Sequence, residues 1–341
     1  MIHKVACSFS DGRTLFFAAK HNELLLDAAL RGGVAIPSDC REGVCGTCQG
    51  RCESGDYAQD YVDEDALSAD DLNRRKVLSC QTRVLSDAGF YFDFASGLCN
   101  SNPPIRIKSK VKDVRQVSEA TAMLTLDASD HAQQIDFLPG QYARINVPFT
   151  EVWRSYSFAN CSSDSNQLHF LIRLLPEGVM SDYVRSRCEP GQNIELEAPM
   201  GTFYLREVAR PVVFVAGGTG LSAFLAMLED LSRRGRSDQP VQLYYGVTNM
   251  GDLCEVDRLA GYIEEIPTLS VKIVVMNPTP EWSGRTGLVT EHFDHEFLRA
   301  EFFDMYVCGP PPMVEAIKRW LDEEHIANHN LYYEKFADSG S

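Results

Sequence analysis

No stretch of this 341-residue chain approaches 18 uninterrupted apolar residues, which excludes a membrane-crossing helix. The opening residues, Met1-Ile2-His3-Lys4-Val5, lack the basic-then-apolar pattern of a secretory signal, so a cytoplasmic location is expected. An excess of basic charge is also missing. Against 32 Lys and Arg stand 48 Asp and Glu, a net charge of −16, which argues against nucleic acid or an anionic membrane as a main partner. Internal repeats and low-complexity tracts are absent. Cysteine, by contrast, is plentiful at eleven residues. Disulfides are rare in the cytosol, and an odd count speaks against a complete disulfide framework. Four of the eleven lie between positions 40 and 52, so their placement is more informative than their number.

A chain of this length is expected to form more than one core, and three textures follow one another along it. Residues 1–98 have the pattern of a small α+β unit. A hairpin is expected over Val5–Phe9 and Thr14–Phe17 around Asp11-Gly12. A helix over Leu24–Leu30 should stop at Gly32-Gly33, and Ser68 is placed to cap a short helix. The stretch from Cys99 to Pro104 has linker composition. Residues 99–206 carry short strands, among them Met123–Leu126, Tyr142–Val147 and Leu168–Ile172, with one helix near Ser181–Arg187. That spacing suggests an antiparallel barrel. Residues 207–341 alternate strands and helices, as a parallel, doubly wound sheet does. The three segments carry net charges of −5, −1 and −10. A near-neutral middle segment suits a phosphate-bearing cofactor, and chance variation in surface charge explains it equally well.

Cys40-x4-Cys45-x2-Cys48, with Cys80 further on, has the plant-type [2Fe–2S] spacing. Such a cluster needs four thiolates converging on two irons, and a tight loop supplies three. Gly43 and Gly46 relieve crowding there and let backbone N–H groups turn toward sulfur. A structural zinc site, the competing reading, would bring two close cysteine pairs, which this spacing does not. Cys52 lies outside the pattern and is expected to be a packed thiol.

Arg154-Ser155-Tyr156-Ser157 places a cation beside an aromatic ring, as a flavin dinucleotide requires. Gly178-Val179-Met180-Ser181 then opens a helix with N–H and hydroxyl donors for phosphate. A barrel strand with a surface arginine is the plainer alternative for the first motif. Gly217-Gly218-Thr219-Gly220 ends an apolar strand and opens a helix, where glycines allow a pyrophosphate to approach the backbone. It is not the GxGxxG fingerprint, and a purely structural turn is its alternative. Cys308-Gly309-Pro310 ends a later strand, the position at which open α/β sheets bind ligands.

Six motifs in order carry a family resemblance. They are Cys40–Cys48, Arg154–Phe158, Pro199–Leu205, Gly217–Gly220, Cys308–Pro310 and Tyr333–Phe336. Nearly the whole chain resembles the electron-transfer component of aromatic-ring-hydroxylating dioxygenases, and is similar to benzoate, toluate and anthranilate dioxygenase reductases. The resemblance implies a β-grasp ferredoxin domain over 1–98, an FAD-binding barrel over 99–206 and a ferredoxin-reductase-like NAD domain over 207–341. It implies that Cys40, Cys45, Cys48 and Cys80 ligate the cluster. It further implies that Arg154 holds the FAD pyrophosphate, Tyr156 lies against the isoalloxazine and Ser157 sits near flavin N5. Gly178, Met180 and Ser181 would lie at the phosphates. Gly217, Gly218, Thr219, Gly220, Cys308, Gly309 and Pro310 would form the nicotinamide dinucleotide site. Glu334 would lie near Ser157, and Phe336 would cover the flavin until nicotinamide displaces it.

The sequence departs from the family at two points. Ala223 replaces a proline usual in the family, so a slightly looser helix start is expected. No arginine follows Gly246 in Tyr245–Asn249 to hold a 2′-phosphate, which favours NADH over NADPH. NADH gives two electrons and a [2Fe–2S] cluster takes one, so a flavin is needed between them. The resemblance therefore implies electron flow from NADH through FAD and [2Fe–2S] to a Rieske-type terminal oxygenase. Delivery to a di-iron monooxygenase or another soluble acceptor is the alternative. A redox sensor or scaffold with vestigial sites is a third reading, against which intact Cys40, Cys45, Cys48 and Cys80 beside Arg154, Tyr156 and Ser157 speak.

Overall fold

The computed structural model describes residues 1–99, 104–163, 165–235 and 238–336. Most of the stretch expected as a linker, residues 100–103, therefore lies outside the described residues. The chain forms two compact units, residues 1–104 with 200–202, and residues 105–199 with 203–341. Among the described residues no helix is long and apolar enough to cross a membrane.

The first unit is built on a five-stranded sheet. Its strand order is Thr14–Lys20, Ile2–Phe9, Ala88–Phe92, Gln49–Ser54 and Lys76–Leu78. The first two strands are the expected hairpin, with Cys7 opposite Leu15 and the intervening Gly12 at φ 76°. Ile2–Phe9 also runs parallel to Ala88–Phe92, which makes the sheet mixed. Alternation along Ile2–Phe9 sends Val5, Cys7 and Phe9 inward. Phe9, Phe92 and Phe94 meet there with ring centroids 5.5–5.7 Å apart. Helix Leu25–Arg31 buries Leu25, Leu26, Ala28 and Ala29. Ser68 caps helix Ala69–Asn73 reciprocally: its hydroxyl accepts from Asp71 N, and Asp71 accepts from Ser68 N.

Two sheets make the second unit. One is a six-stranded, barrel-like sheet in the order Trp153–Ser157, Tyr142–Asn146, Asn193–Met200, Ile105–Ser118, Thr121–Asp127 and Gln167–Arg173. Antiparallel ladders join Thr121–Asp127 to both of its neighbours, and a bridge between Phe158 and Phe170 links the two ends of the sheet. Leu124, Ile145, Phe158, Phe170, Ile172 and Leu196 fill the interior, with Phe137 stacked 3.7 Å from Phe158.

The other sheet has six strands in the order Arg285–Thr286, Leu269–Asn277, Val241–Asn249, Val212–Gly217, Phe303–Gly309 and His329–Lys335, all parallel. Val212–Gly217 and Phe303–Gly309 are buried at every residue, as central parallel strands covered by helices on both faces must be. Strand order reverses between these two. Their carboxyl ends, Gly217 and Cys308-Gly309, therefore flank the crevice where such sheets take ligands. Helix Leu221–Arg234 covers one face of the sheet and Pro311–Glu323 the other.

Candidate functional site

The cysteine loop is held open by backbone that only particular residues allow. Gly43 and Gly46 lie at φ 81° and 74°. A Cβ on Gly43 would collide with Tyr61 O, because Asp63 N donates to Gly43 O at 3.0 Å and draws the two segments together. Cys80 comes from a distant turn that is pinned to this loop. Ser79 donates to Cys48 O through both N and Oγ, at 3.1 and 3.0 Å, and Gln81 Nε2 donates to Arg41 O at 3.0 Å.

The four thiols form two hydrogen-bonded pairs, Cys40 with Cys45 and Cys48 with Cys80. The Cys45 thiol and the backbone N–H groups of Glu42, Val44 and Cys45 draw Cys40 down to about 5. The Cys48 thiol and the Gly43 N–H draw Cys80 down to about 7. In each pair the hydrogen bond and burial push the other thiol, Cys45 or Cys48, up; sulfurs brought together in this way and facing several N–H donors fit an iron–sulfur cluster. Cys52 is buried elsewhere and accepts from Arg75 Nη2 at 3.1 Å.

In the second unit the motifs of the barrel and of the parallel sheet meet. Arg154 and Tyr156 lie on Trp153–Ser157. Arg154 Nη1 donates to the Trp153 carbonyl at 3.0 Å, and burial pushes the Tyr156 hydroxyl up. Ser157 is buried, and its Oγ donates to Glu334 Oε2 at 3.3 Å. Its carbonyl accepts from Ser222 Oγ at 2.7 Å. Glu334 is the ladder partner of Cys308, whose thiol is fully buried and is pushed up by that burial and by the Glu334 charge. Phe336 is half-buried against the same core, with its N–H donating to Gly309 O at 2.9 Å. Strand His329–Lys335 thus brings the last motif beside the second.

Gly178 caps helix Val179–Ser186, in which Met180 and Ser181 turn inward and Val179 is exposed. Met180 packs into the barrel core. Ser181 Oγ donates to Arg173 O at 3.2 Å and accepts from Leu175 N at 2.9 Å, so the hydroxyl organises the preceding turn. A Cβ on Gly178 would come within 2.7 Å of that oxygen.

The glycine turn works by close approach. A Cβ on Gly217 or Gly309 would lie 2.7 Å from the Met313 side chain, and one on Gly220 would collide with Cys308 O. The strand ends therefore touch only because these side chains are absent. Thr219 is half-buried in the 3-10 turn Gly218–Gly220, which leads straight into helix Leu221–Arg234. Ala223, where a looser start was expected, is fully buried in that unbroken helix. Pro310 caps helix Pro311–Glu323, and its carbonyl accepts from Met313 N at 3.0 Å.

Comparison with known proteins agrees with this geometry. The 2Fe-2S iron-sulfur cluster binding domain family matches residues 8–85. The oxidoreductase FAD-binding domain matches 108–204, and the oxidoreductase NAD-binding domain matches 214–319. The anthranilate 1,2-dioxygenase electron transfer component of Acinetobacter baylyi is 57% identical, over 100% of this chain and 99% of its own length. This chain belongs to the electron-transfer components of aromatic-ring-hydroxylating dioxygenases. The toluate 1,2-dioxygenase component of Pseudomonas putida is 41% identical over 99% of this chain and 100% of its own. Among solved structures, an Amycolatopsis cytochrome P450 reductase superposes with TM-score 0.71 at 29% identity, covering 98% of this chain and 100% of its own. As a member of this family the chain is an NADH-dependent iron–sulfur flavoprotein oxidoreductase, with [2Fe–2S] and FAD as its cofactors.

Two residues beside the crevice carry no sequence signal of their own: Ser222, and Arg173, whose Nη1 lies 3.6 Å from where a Cβ on Gly218 would stand. Ser222 directly follows the strand–glycine-turn signal, where a donor could have been sought. Arg173 ends an apolar strand, and a charged residue there has the appearance of an ordinary strand terminus.

Proposed function

We propose that this chain supplies electrons from NADH to the Rieske-type oxygenase of a dioxygenase acting on anthranilate or a closely similar aromatic carboxylate. The full-length 57% identity to an anthranilate dioxygenase component supports that choice of partner. The observation that carries the redox reading is the hydrogen bond from Ser157 Oγ to Glu334 Oε2, which joins the barrel to the crevice end of the parallel sheet. When bound, FAD accepts an electron pair from NADH and releases it singly to the cluster.

The chain's own residues would bind and orient. Cys40, Cys45, Cys48 and Cys80 hold iron. Arg154 neutralises the FAD pyrophosphate, the Tyr156 ring packs against the flavin, and Gly178, Met180 and Ser181 present helix-start amides to phosphate. Gly217–Gly220 and Cys308–Pro310 shape the dinucleotide crevice. Ser157 Oγ, which donates a hydrogen bond to the Glu334 carboxylate, would stand near flavin N5, and Phe336 would cover the flavin until nicotinamide displaces it. Module boundaries near residues 98 and 206 and a cytoplasmic location belong to the same proposal.

Reconstitution with candidate oxygenase components tests it, by assaying NADH-driven hydroxylation of anthranilate, benzoate and toluate. Anthranilate turnover is expected to exceed the other two. Turnover with a di-iron monooxygenase but with no Rieske-type partner would overturn the assignment.

A further inference from the structure

Glu334 and Phe336, read above as standing beside Ser157 and over the flavin, lie at the edge of the parallel sheet. Strand His329–Lys335 is the last of the six, and among the described residues its ladder runs only to Phe303–Gly309. Past the ladder the backbone is tied by the bond from Phe336 N to Gly309 O at 2.9 Å. Such a strand end opens readily, so whatever else grips it decides where these two side chains stand.

Alternation divides the strand between two faces. Tyr332 and Phe336 pack on the core that the barrel shares, whereas Tyr333 packs on the opposite core, with helix Pro311–Glu323. Lys335 lies two residues beyond Tyr333 and emerges on the helix side, where its Nζ meets Glu315 Oε1 at 3.0 Å. The lysine side chain is only 7% exposed. An ammonium so deeply buried is stable only when paired, so the carboxylate fixes where the strand ends. Lys318 Nζ meets the same oxygen at 3.1 Å and lies 5.4 Å from the Tyr333 ring centroid. The body of the strand is gripped separately, on its other face. Tyr332 stacks on Tyr306 at 4.8 Å, and the Arg206 guanidinium lies 3.9 Å from the Tyr332 ring centroid. Loosening Lys335 therefore frees the end of the strand and leaves its body in place. Pro310 caps the helix, so Glu315 stands little more than one turn from the Cys308–Pro310 side of the crevice.

We propose that Lys335 is a positioning residue, whose ion pair with Glu315 holds Phe336 over the flavin site and Glu334 against Ser157. This rests on the reductase reading above, in which nicotinamide must displace Phe336. A firmly held cover weakens nicotinamide binding, because the closed arrangement has to open before the ring can enter. The same hold keeps the bond between Ser157 and Glu334 formed. Weakening the ion pair should therefore tighten NADH binding and slow the hydride step. Ordinary damage to a binding site does not produce that split.

The experiment is stopped-flow flavin bleaching of the flavin-loaded full chain at varied NADH, which gives Kd and the limiting rate separately. Lys335→Met and Glu315→Gln should each lower both quantities about fivefold, the scale of one coupled ion pair. The double variant should go no further than either single one, and Lys335→Arg, which keeps the charge, should recover most of both. Calorimetric affinity for ADP-ribose, which lacks nicotinamide, should not change. An unchanged or raised NADH Kd, or an unaltered limiting rate, overturns the proposal, and so does an equal gain in ADP-ribose affinity. If Lys335→Met fails to hold flavin, Glu315→Gln decides, since that side chain is 31% exposed. A wild-type flavin that NADH does not bleach overturns the proposal together with the reading beneath it.

Discussion

The cysteine loop and the glycine turn are built on opposite principles. In residues 40–48 the side chains carry the chemistry, and the backbone bends to present them: two positive-φ glycines and the Gly43–Asp63 hydrogen bond serve three of the four sulfurs. At Gly217, Gly220 and Gly309 side chains are missing so that backbone can touch backbone, with Gly220 against Cys308 O and Gly309 against Gly217. Substitution in the first removes a reacting group, whereas in the second it inserts an obstacle.

The largest expected effect isolates the first site. Cys45→Ser should abolish the cluster's visible absorption and cytochrome c reduction, while NADH-driven ferricyanide reduction persists. Equal loss of both activities would show that the two sites are not separable. Gly220→Ala is the reciprocal test. Its methyl must displace Cys308 O, so a stability loss of about 1–3 kcal/mol is expected. A fall in kcat/KM for NADH of about 10–100-fold should accompany it, with the cluster spectrum unchanged; such a fall amounts to roughly 1.4–2.8 kcal/mol. A variant with unchanged NADH kinetics would deny the turn its role.

Ser157→Ala removes one hydrogen bond to a carboxylate, worth about 1.5–3 kcal/mol. Hydride transfer, followed by stopped-flow flavin bleaching, should slow about tenfold, and binding of ADP-ribose should hold. The smallest effect is on stability. Burial, reinforced by the Arg258 charge, pulls His169 from 6.5 down to about 4. The unfolded chain therefore binds the extra proton first as the medium is acidified. Stability is complete above 6.5 and falls through the window down to about 4, by on the order of 2 kcal/mol for this residue. His169→Gln should flatten that stretch of the melting-temperature profile against pH, and an unaltered profile would remove His169 as its source.

The contrast between the sites also explains what the sequence disclosed. Cysteine spacing is a chemical signal in itself, and the Asp11-Gly12 hairpin, the Ser68 cap and the strand before Gly217 follow from local propensity. The bond from Ser222 to Ser157 and the ladder that sets His329–Lys335 beside Phe303–Gly309 were not legible, because they arise from pairings distant in sequence. Glu334 reaches Ser157 across 177 residues; the family resemblance had set the two together, whereas residue type alone says nothing of such a distance. Ser181 shows the converse: its position was foreseen, while its hydroxyl bonds Arg173 O and Leu175 N.

The bonds that cross the second unit have a mechanical consequence. Ser222 Oγ holds the Ser157 carbonyl, Arg258 Nη2 holds that of Ala159 at 3.0 Å, and Glu229 Oε2 accepts from Cys161 N at 3.2 Å. Three successive alternate residues of one segment of the barrel half are thus clamped by side chains that belong to helices of the other half. Severing the chain between the halves would strand those backbone groups and bare Leu171 to water. The two halves should therefore melt cooperatively, as a single thermodynamic body.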